Sequence, residues 1–476
     1  MTRIFAGLLL SACLLGNASG AVQTHFQHIV VIVQENRTPD NLFYALCQHV
    51  TCSTTPSGRQ YDIQTSNWLD NTSAGGVTQP APVSLGIAWD LYHNHSAFLA
   101  MCDANSTTHL CAMDGANNIA CGQGDCPPKA TFSYVDNSTG ILNPYLNLAE
   151  SYGWANYMFQ TNQGPSYPAH QFIFGGTSAP SAVDDFKGTF ASENPKDAGC
   201  AAPANTRVQV INSSGVEDPK NSIFPCFERT TLSDLLDEKG ISWRYYAVQE
   251  VVEKAIWDAP NSIQHICVAS NGACLGNLYT ANVDMKPADV LKDITHCNLR
   301  SVTWVTPDGA FSDHAGNGNG TGGPSWVASI VNQIGTSACK NADGSSYWDS
   351  TAILITWDDW GGWYDHEAPT ILPGLQGAYQ YGFRVPFVFV SAYTPKGTVS
   401  NARYDFGSIL RMIEYNFGIS QGALHFADHR AANSLFAKPA FYDFKHTPRA
   451  FTTIPTTQSA QYFIDDKRPP SPPDDD

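Results

Sequence analysis

Three stretches of this chain are apolar at almost every position, where half-buried elements would alternate. They are His28-Ile-Val-Val-Ile-Val33, Ala352-Ile-Leu-Ile-Thr356 and Pro386-Phe-Val-Phe-Val390. Short runs rich in β-branched residues suit strands covered on both faces. They predict an α/β fold: a central, mostly parallel sheet with helices on both faces. Helices are expected over 231–239, 325–334 and 408–417, the last stopped by Gly418. No internal repeat or charged linker divides residues 22–467, so one domain is expected there. Between Cys47 and Cys126 the sequence reads as a cysteine-rich excursion from the sheet, expected to be disulfide-rich. The ending Arg468-Pro-Pro-Ser-Pro-Pro-Asp-Asp-Asp476 has the composition of a disordered tail.

Ligands of open parallel sheets bind beyond the carboxyl ends of the strands. Glu35-Asn36 follows the first run and Asp358-Asp359 the second. Four oxygen or amide donors from two strand ends make a cradle for one divalent metal ion. Ser166, in Gly164-Pro-Ser-Tyr-Pro168, has a proline on either side to restrict its backbone. Serine is a weak nucleophile until a base or metal lowers its pKa. Pro168 stands where a G-x-S-x-G elbow needs glycine, which disfavours an α/β-hydrolase site. His93, His95, His314 and His366 flank turns from which an imidazole can hold a phosphoryl oxygen or protonate a leaving group. The run Gly316–Gly323 lacks the Gly-Lys-Ser/Thr ending of a phosphate loop and reads as a flexible loop.

A net charge of -17 repels nucleic acid and anionic membranes, so no nucleic-acid partner is expected. An anionic substrate would need a local cation to overcome that field. Charged residues are only 14% of the chain, well below the usual share of about a quarter, so the surface is polar but weakly charged. Arg3 and the apolar stretch to Gly16, followed by Ala18-Ser19-Gly20, predict a signal peptide over residues 1–21. Cys13 also fits a lipoprotein box, a reading disfavoured by its short apolar core. No later segment is long and apolar enough for stable membrane insertion. Beyond Cys13 there remain 12 cysteines, an even number. Several lie close in sequence: Cys47 and Cys52, Cys102 and Cys111, Cys121 and Cys126, Cys267 and Cys274. Without C-x-x-C spacing, disulfides explain them better than structural zinc. The expected location is secreted or periplasmic.

Taken together the motifs resemble the phosphoesterase family of acid phosphatases and phosphatidylcholine-type (non-specific) phospholipases C. The resemblance rests on Ile32-Val-Gln-Glu-Asn-Arg37, Gly164–Pro168, Thr231-Leu-Ser-Asp-Leu-Leu236 and Gly240–Tyr246. It continues through Trp357-Asp-Asp-Trp-Gly-Gly-Trp-Tyr-Asp-His366, Tyr381–Pro386 and Ser408–Glu414, in the right order. It implies an alkaline-phosphatase-like fold and hydrolysis of a phosphate ester, either a phosphomonoester or a phospholipid head group. It implies one divalent ion held by Glu35, Asn36, Asp358 and Asp359, and Ser166 as nucleophile. His314 and His93 (with His95 an alternative) would contact phosphate, as would Asn36 and His366. Many relatives have Asp-His-Thr-Ser where this chain has Asp405-Phe-Gly-Ser408, so that histidine's role is lost. The chain ends without room for the extra domains of long phospholipases, which points to the shorter acid-phosphatase branch. Two rivals stand beside this expectation: a metal-independent serine esterase and a non-catalytic secreted binding protein.

Overall fold

The computed structural model describes residues 25–471, apart from 196, 219, 249–254, 317–320, 371–379 and 438–440. The expected leader, Cys13 and residues 472–476 lie outside the described residues.

The first apolar run becomes β1, His28–Gln34, with all seven residues buried. Seven further strands join it: β2 Gly153–Phe159, β3 Trp243–Tyr246, β4 Val283–Asp284, β5 Val302–Val305, β6 Thr351–Trp357, β7 Phe387–Val390 and β8 Thr398–Asp405. The sheet order is β4-β3-β5-β1-β6-β7-β2-β8. All are parallel except β7, which pairs antiparallel with both β6 and β2. The third apolar run is therefore buried as expected but points the other way. An apolar run reports burial on both faces and says nothing of direction.

Two groups of helices cover this sheet. In the first, Ser166–Gly175 packs against Leu232–Glu238 and Phe406–Asn416; in the second, Gly323–Gly335 packs against Asn143–Ser151 and Asp289–Thr295. The helix ends follow local chemistry. Thr231 and Asp234 form a capping box before Leu232, and Asp405 and Ser408 form another before Phe406. The block lacking the family's histidine thus caps a helix, and Phe406 is fully buried in the core. Gly418, at φ 66°, lies just past the end of that helix.

The largest apolar cluster draws its residues from Phe26 to Phe463, with none between Leu85 and Val135. The excursion adds a small core of its own. Trp68, Phe98 and Met101 pack there with Trp360, Tyr364 and Phe383, so it roofs the aspartate-rich loop. All 12 cysteines of the described chain are paired: the four near pairs, and also Cys200–Cys226 and Cys297–Cys339. The start of the expected tail is held in place. Ser471 N–H donates to Asp308 Oδ2 at 3.0 Å, and the Arg468 guanidinium lies 4.9 Å from the Phe311 ring centre.

Candidate active site

Register brings the two acidic clusters together. β1 and β6 are parallel neighbours paired so that Gln34 lies beside Trp357, and each strand ends there. The next residues, Glu35-Asn36 and Asp358-Asp359, therefore leave the sheet side by side. Asn36 takes a left-handed conformation, φ 60°, which asparagine tolerates better than most residues. Its N–H donates to Asp358 Oδ1 at 3.3 Å. Gly361 is forced by this approach: at φ 62°, a Cβ there would lie 2.3 Å from Asn36 O. Its N–H instead donates to Asp359 Oδ1 at 2.8 Å.

Ser166 reaches the same point from β2. The expected proline turn is the start of a ten-residue helix, with Pro165 as N-cap and Ser166 as first residue. The Ser166 hydroxyl lies 3.2 Å from Glu35 Oε2 and 3.3 Å from Asp359 Oδ2. The preceding Gly164 has no room for a side chain, since a Cβ would meet Ser192 O at 2.1 Å.

His93 and His314 close the cluster from the excursion and from the loop after β5. Their Nδ1 atoms face backbone carbonyls, Leu91 O at 2.9 Å and Ala315 O at 2.7 Å. Those contacts put the hydrogen on Nδ1 and aim both Nε2 atoms inward. The Asn36 amide sits between imidazoles and carboxylates. One of its terminal atoms is 2.8 Å from both Nε2 atoms, and the other is 3.0 Å from both Glu35 Oε2 and Asp358 Oδ1.

The structure does not bring the other two histidines here. The His95 ring lies between Gln163 O (2.9 Å) and Gly215 O (3.2 Å), so both its nitrogens tie loops together. His366 Nδ1 contacts Asp40 Oδ2 at 2.7 Å and Nε2 contacts Asp62 Oδ1 at 3.0 Å, in a separate buried cluster with Arg384. Burial opposes its charge, but Asp40 and Asp62 win and raise it to about 10. Each of these two rings already has two partners in the fold, apart from the acidic cradle.

Three residues escaped the sequence reading. His170 is one turn after Ser166 on the same helix face, with Nε2 3.0 Å from Glu35 Oε1. The i, i+4 spacing signals this once the segment is read as a helix. Gln34 bonds Phe311 O (3.1 Å) and Asp313 N (3.0 Å), fixing the loop that carries His314. Arg37 Nε donates to Asp313 O at 2.8 Å in the same loop. Nothing in sequence marks those two, because their partners are almost 280 residues away.

The electrostatics are unusual for a site without a built-in cation. Glu35, Asp358 and Asp359 are all fully buried. Burial first, and then the charge of Asp358, holds the Glu35 and Asp359 carboxyls well above the usual range. Burial pushes His170 down to about 4. Among the described residues, the cationic side chains within ion-pair distance of these carboxyls are histidines, His93 and His170.

A family model of the phosphoesterase family matches residues 26–420 of this chain. The chain belongs to the phosphoesterase family. Among similar proteins, it is 22% identical to a hemolytic phospholipase C of Pseudomonas aeruginosa, over 84% of this chain and 54% of that protein. A non-hemolytic phospholipase C of the same organism is 26% identical over 40% of this chain and 30% of its own length. A non-specific phospholipase C6 of Arabidopsis thaliana is 26% identical over 32% of this chain and 33% of its own. The chain thus spans about half or less of the relatives it matches. Among solved structures, a protein in the alkaline phosphatase superfamily from Vibrio parahaemolyticus overlaps 59% of this chain and 61% of its own. Their identity is 11% and the TM-score 0.32.

Proposed function

We propose that this phosphoesterase-family chain is a secreted, cation-dependent hydrolase of phosphate esters acting through a phosphoserine on Ser166. The convergence of a hydroxyl, three buried carboxyls, an amide and two imidazoles beyond four parallel strands, β1, β2, β5 and β6, supports this reading most.

The donor set fits a divalent cation. Glu35 Oε2, Asp358 Oδ1 and the nearer Asn36 atom are 3.0 Å apart in the two measured pairs, and Ser166 Oγ is 3.2 and 3.3 Å from Glu35 and Asp359. Octahedral bonds of about 2.0–2.1 Å place neighbouring ligands about 3.0 Å apart. Turning Asn36 Oδ1 toward the acids lets its Nδ2 donate to both Nε2 lone pairs, an arrangement a cation favours. When bound, such an ion supplies Lewis-acid stabilisation and eases ionisation of a hydroxyl.

The chain's own residues do the rest. Ser166 Oγ bonds to phosphorus while the bond from phosphorus to the leaving oxygen breaks, and the hydroxyl proton passes to a neighbouring carboxylate. His314 or His93 can pass a proton to the leaving oxygen only as an imidazolium, after its inward Nε2 has gained a hydrogen from solvent and released Asn36 Nδ2. Water then attacks the phosphoserine, releasing phosphate or a phosphomonoester and restoring the hydroxyl. The amino end of a ten-residue helix favours the negative phosphoryl oxygens beside Ser166. Secretion is supported by six disulfides, a density typical of oxidising compartments.

Hydrolysis of p-nitrophenyl phosphate and of p-nitrophenylphosphorylcholine, each with and without chelator, tests the reading. Turnover of at least one, abolished by chelator and restored by a divalent ion, is expected. The preferred compound separates phosphomonoesters from the phospholipid head groups suggested by the relatives' names. Chelator-resistant turnover would contradict cation dependence, and hydrolysis of carboxylic esters with neither compound turned over would favour the serine-esterase rival.

A further inference from the structure

The carboxylates of Glu35 and Asp358 each have two oxygens, and the two are used differently. Glu35 Oε2 and Asp358 Oδ1 face the Asn36 amide. Glu35 Oε1 and Asp358 Oδ2 point the other way, toward His170 Nε2, at 3.0 and 3.7 Å. Asp358 Oδ2 is buried and has no hydrogen-bond partner. Such an orphan is rare and asks for an explanation.

The Tyr245 hydroxyl donates its one hydrogen to Trp257 O at 2.8 Å. It also lies 3.4 Å from His170 Nδ1, and toward that nitrogen it can only accept. Nδ1 therefore carries the hydrogen of a neutral ring, and Nε2 presents a lone pair to Glu35 Oε1. Two lone pairs at 3.0 Å repel unless a positive charge lies between them. Metal-ligating histidines commonly donate their other ring N–H to an acceptor that fixes the ring, the part the Tyr245 hydroxyl takes here at 3.4 Å.

From this partition we propose a second cation site, formed by Glu35 Oε1, Asp358 Oδ2 and His170 Nε2, so that Glu35 and Asp358 bridge two ions. The inference rests on the cation-dependent reading above. The three donor atoms all lie within 4.8 Å of one another. Tetrahedral bonds of about 2.0–2.1 Å put donors about 3.4 Å apart, between the two measured distances. One imidazole with two carboxylates suits a first-row divalent transition ion better than calcium or magnesium. Three protein ligands leave a position open, and carboxylate bridges hold paired ions about 3.5–4 Å apart.

The test is stoichiometry. The full chain is stripped with chelator, loaded with Mn2+, desalted, and its bound metal counted by mass spectrometry, with electron paramagnetic resonance on the same sample. Two equivalents and an exchange-broadened signal are expected for the wild type. One equivalent and a six-line mononuclear signal are expected for His170→Ala and for His170→Gln, the second kept in case the first fails to fold. One equivalent in the wild type, with a six-line signal, overturns the second site and leaves the first standing; a shared proton then occupies the gap between His170 and Glu35. No bound metal in the wild type overturns both this inference and the reading beneath it.

Discussion

Ser166 occupies a position where a hydroxyl is costly to replace chemically and cheap to replace structurally. It is buried, and its Oγ hydrogen-bonds the carboxyls of Glu35 and Asp359. Ser166→Ala should lower hydrolysis by several orders of magnitude, the scale seen when a nucleophile is lost. Its melting temperature should stay near that of the wild type, because no large cavity opens and two like-charged carboxyls lose only a weak donor. Ser166→Thr keeps the hydroxyl and should retain part of the activity. Steady-state rates with thermal melts check all three. Near wild-type hydrolysis by Ser166→Ala would point to direct attack by water. The residue types were legible before the fold was known: Glu35, Asn36, Asp358, Asp359, Ser166, His93 and His314 all meet at one place. His170 was not, because its signal depends on knowing that Ser166 starts a helix.

At the level of elements, the site exists because two strand ends coincide. The sequence marked β1 and β6 as buried runs, yet their adjacency comes from tertiary register, with Gln34 beside Trp357. The short strands β3, β4 and β5 carry weaker patterns and could not be ordered from the text. The direction of β7 was likewise hidden, as both directions give the same buried run. The turn after β6 is the most exacting connection. Gly361→Ala must place a methyl 2.3 Å from Asn36 O in a backbone conformation that alanine resists. The expected relief is displacement of Asn36, which stands between the acids and the imidazoles. Divalent-ion affinity, measured by calorimetry, should fall by tenfold or more, and activity with it. Unchanged affinity would show that the turn yields without moving Asn36.

Across the whole molecule, a chain of net charge -17 buries three carboxyls at its site. The folded-state pKa values of Glu35 and Asp359 are raised, so their share of stability is full below about pH 4. It is lost as pH rises through the raised values. His170 works in the opposite sense. Held down to about 4 from 6.5, it makes stability rise with pH between those values and contributes no further slope above them. Chelated protein should therefore lose melting temperature as pH rises above about 6.5, and loaded protein should lose less, because a bound ion stabilises the charged carboxylates. A gap between the two melting curves that stays constant with pH would contradict this. The covalent framework has its own check. Thiol titration of unfolded, unreduced mature protein should find essentially no free cysteine, as six bridges use all 12. The most direct measurement is rapid acid quenching of the loaded enzyme during turnover of p-nitrophenyl phosphate, followed by peptide mass spectrometry. One phosphate on the peptide containing Ser166 is the predicted result. Its absence under conditions where turnover is proceeding, with phosphate found on another residue or on none, would contradict the account.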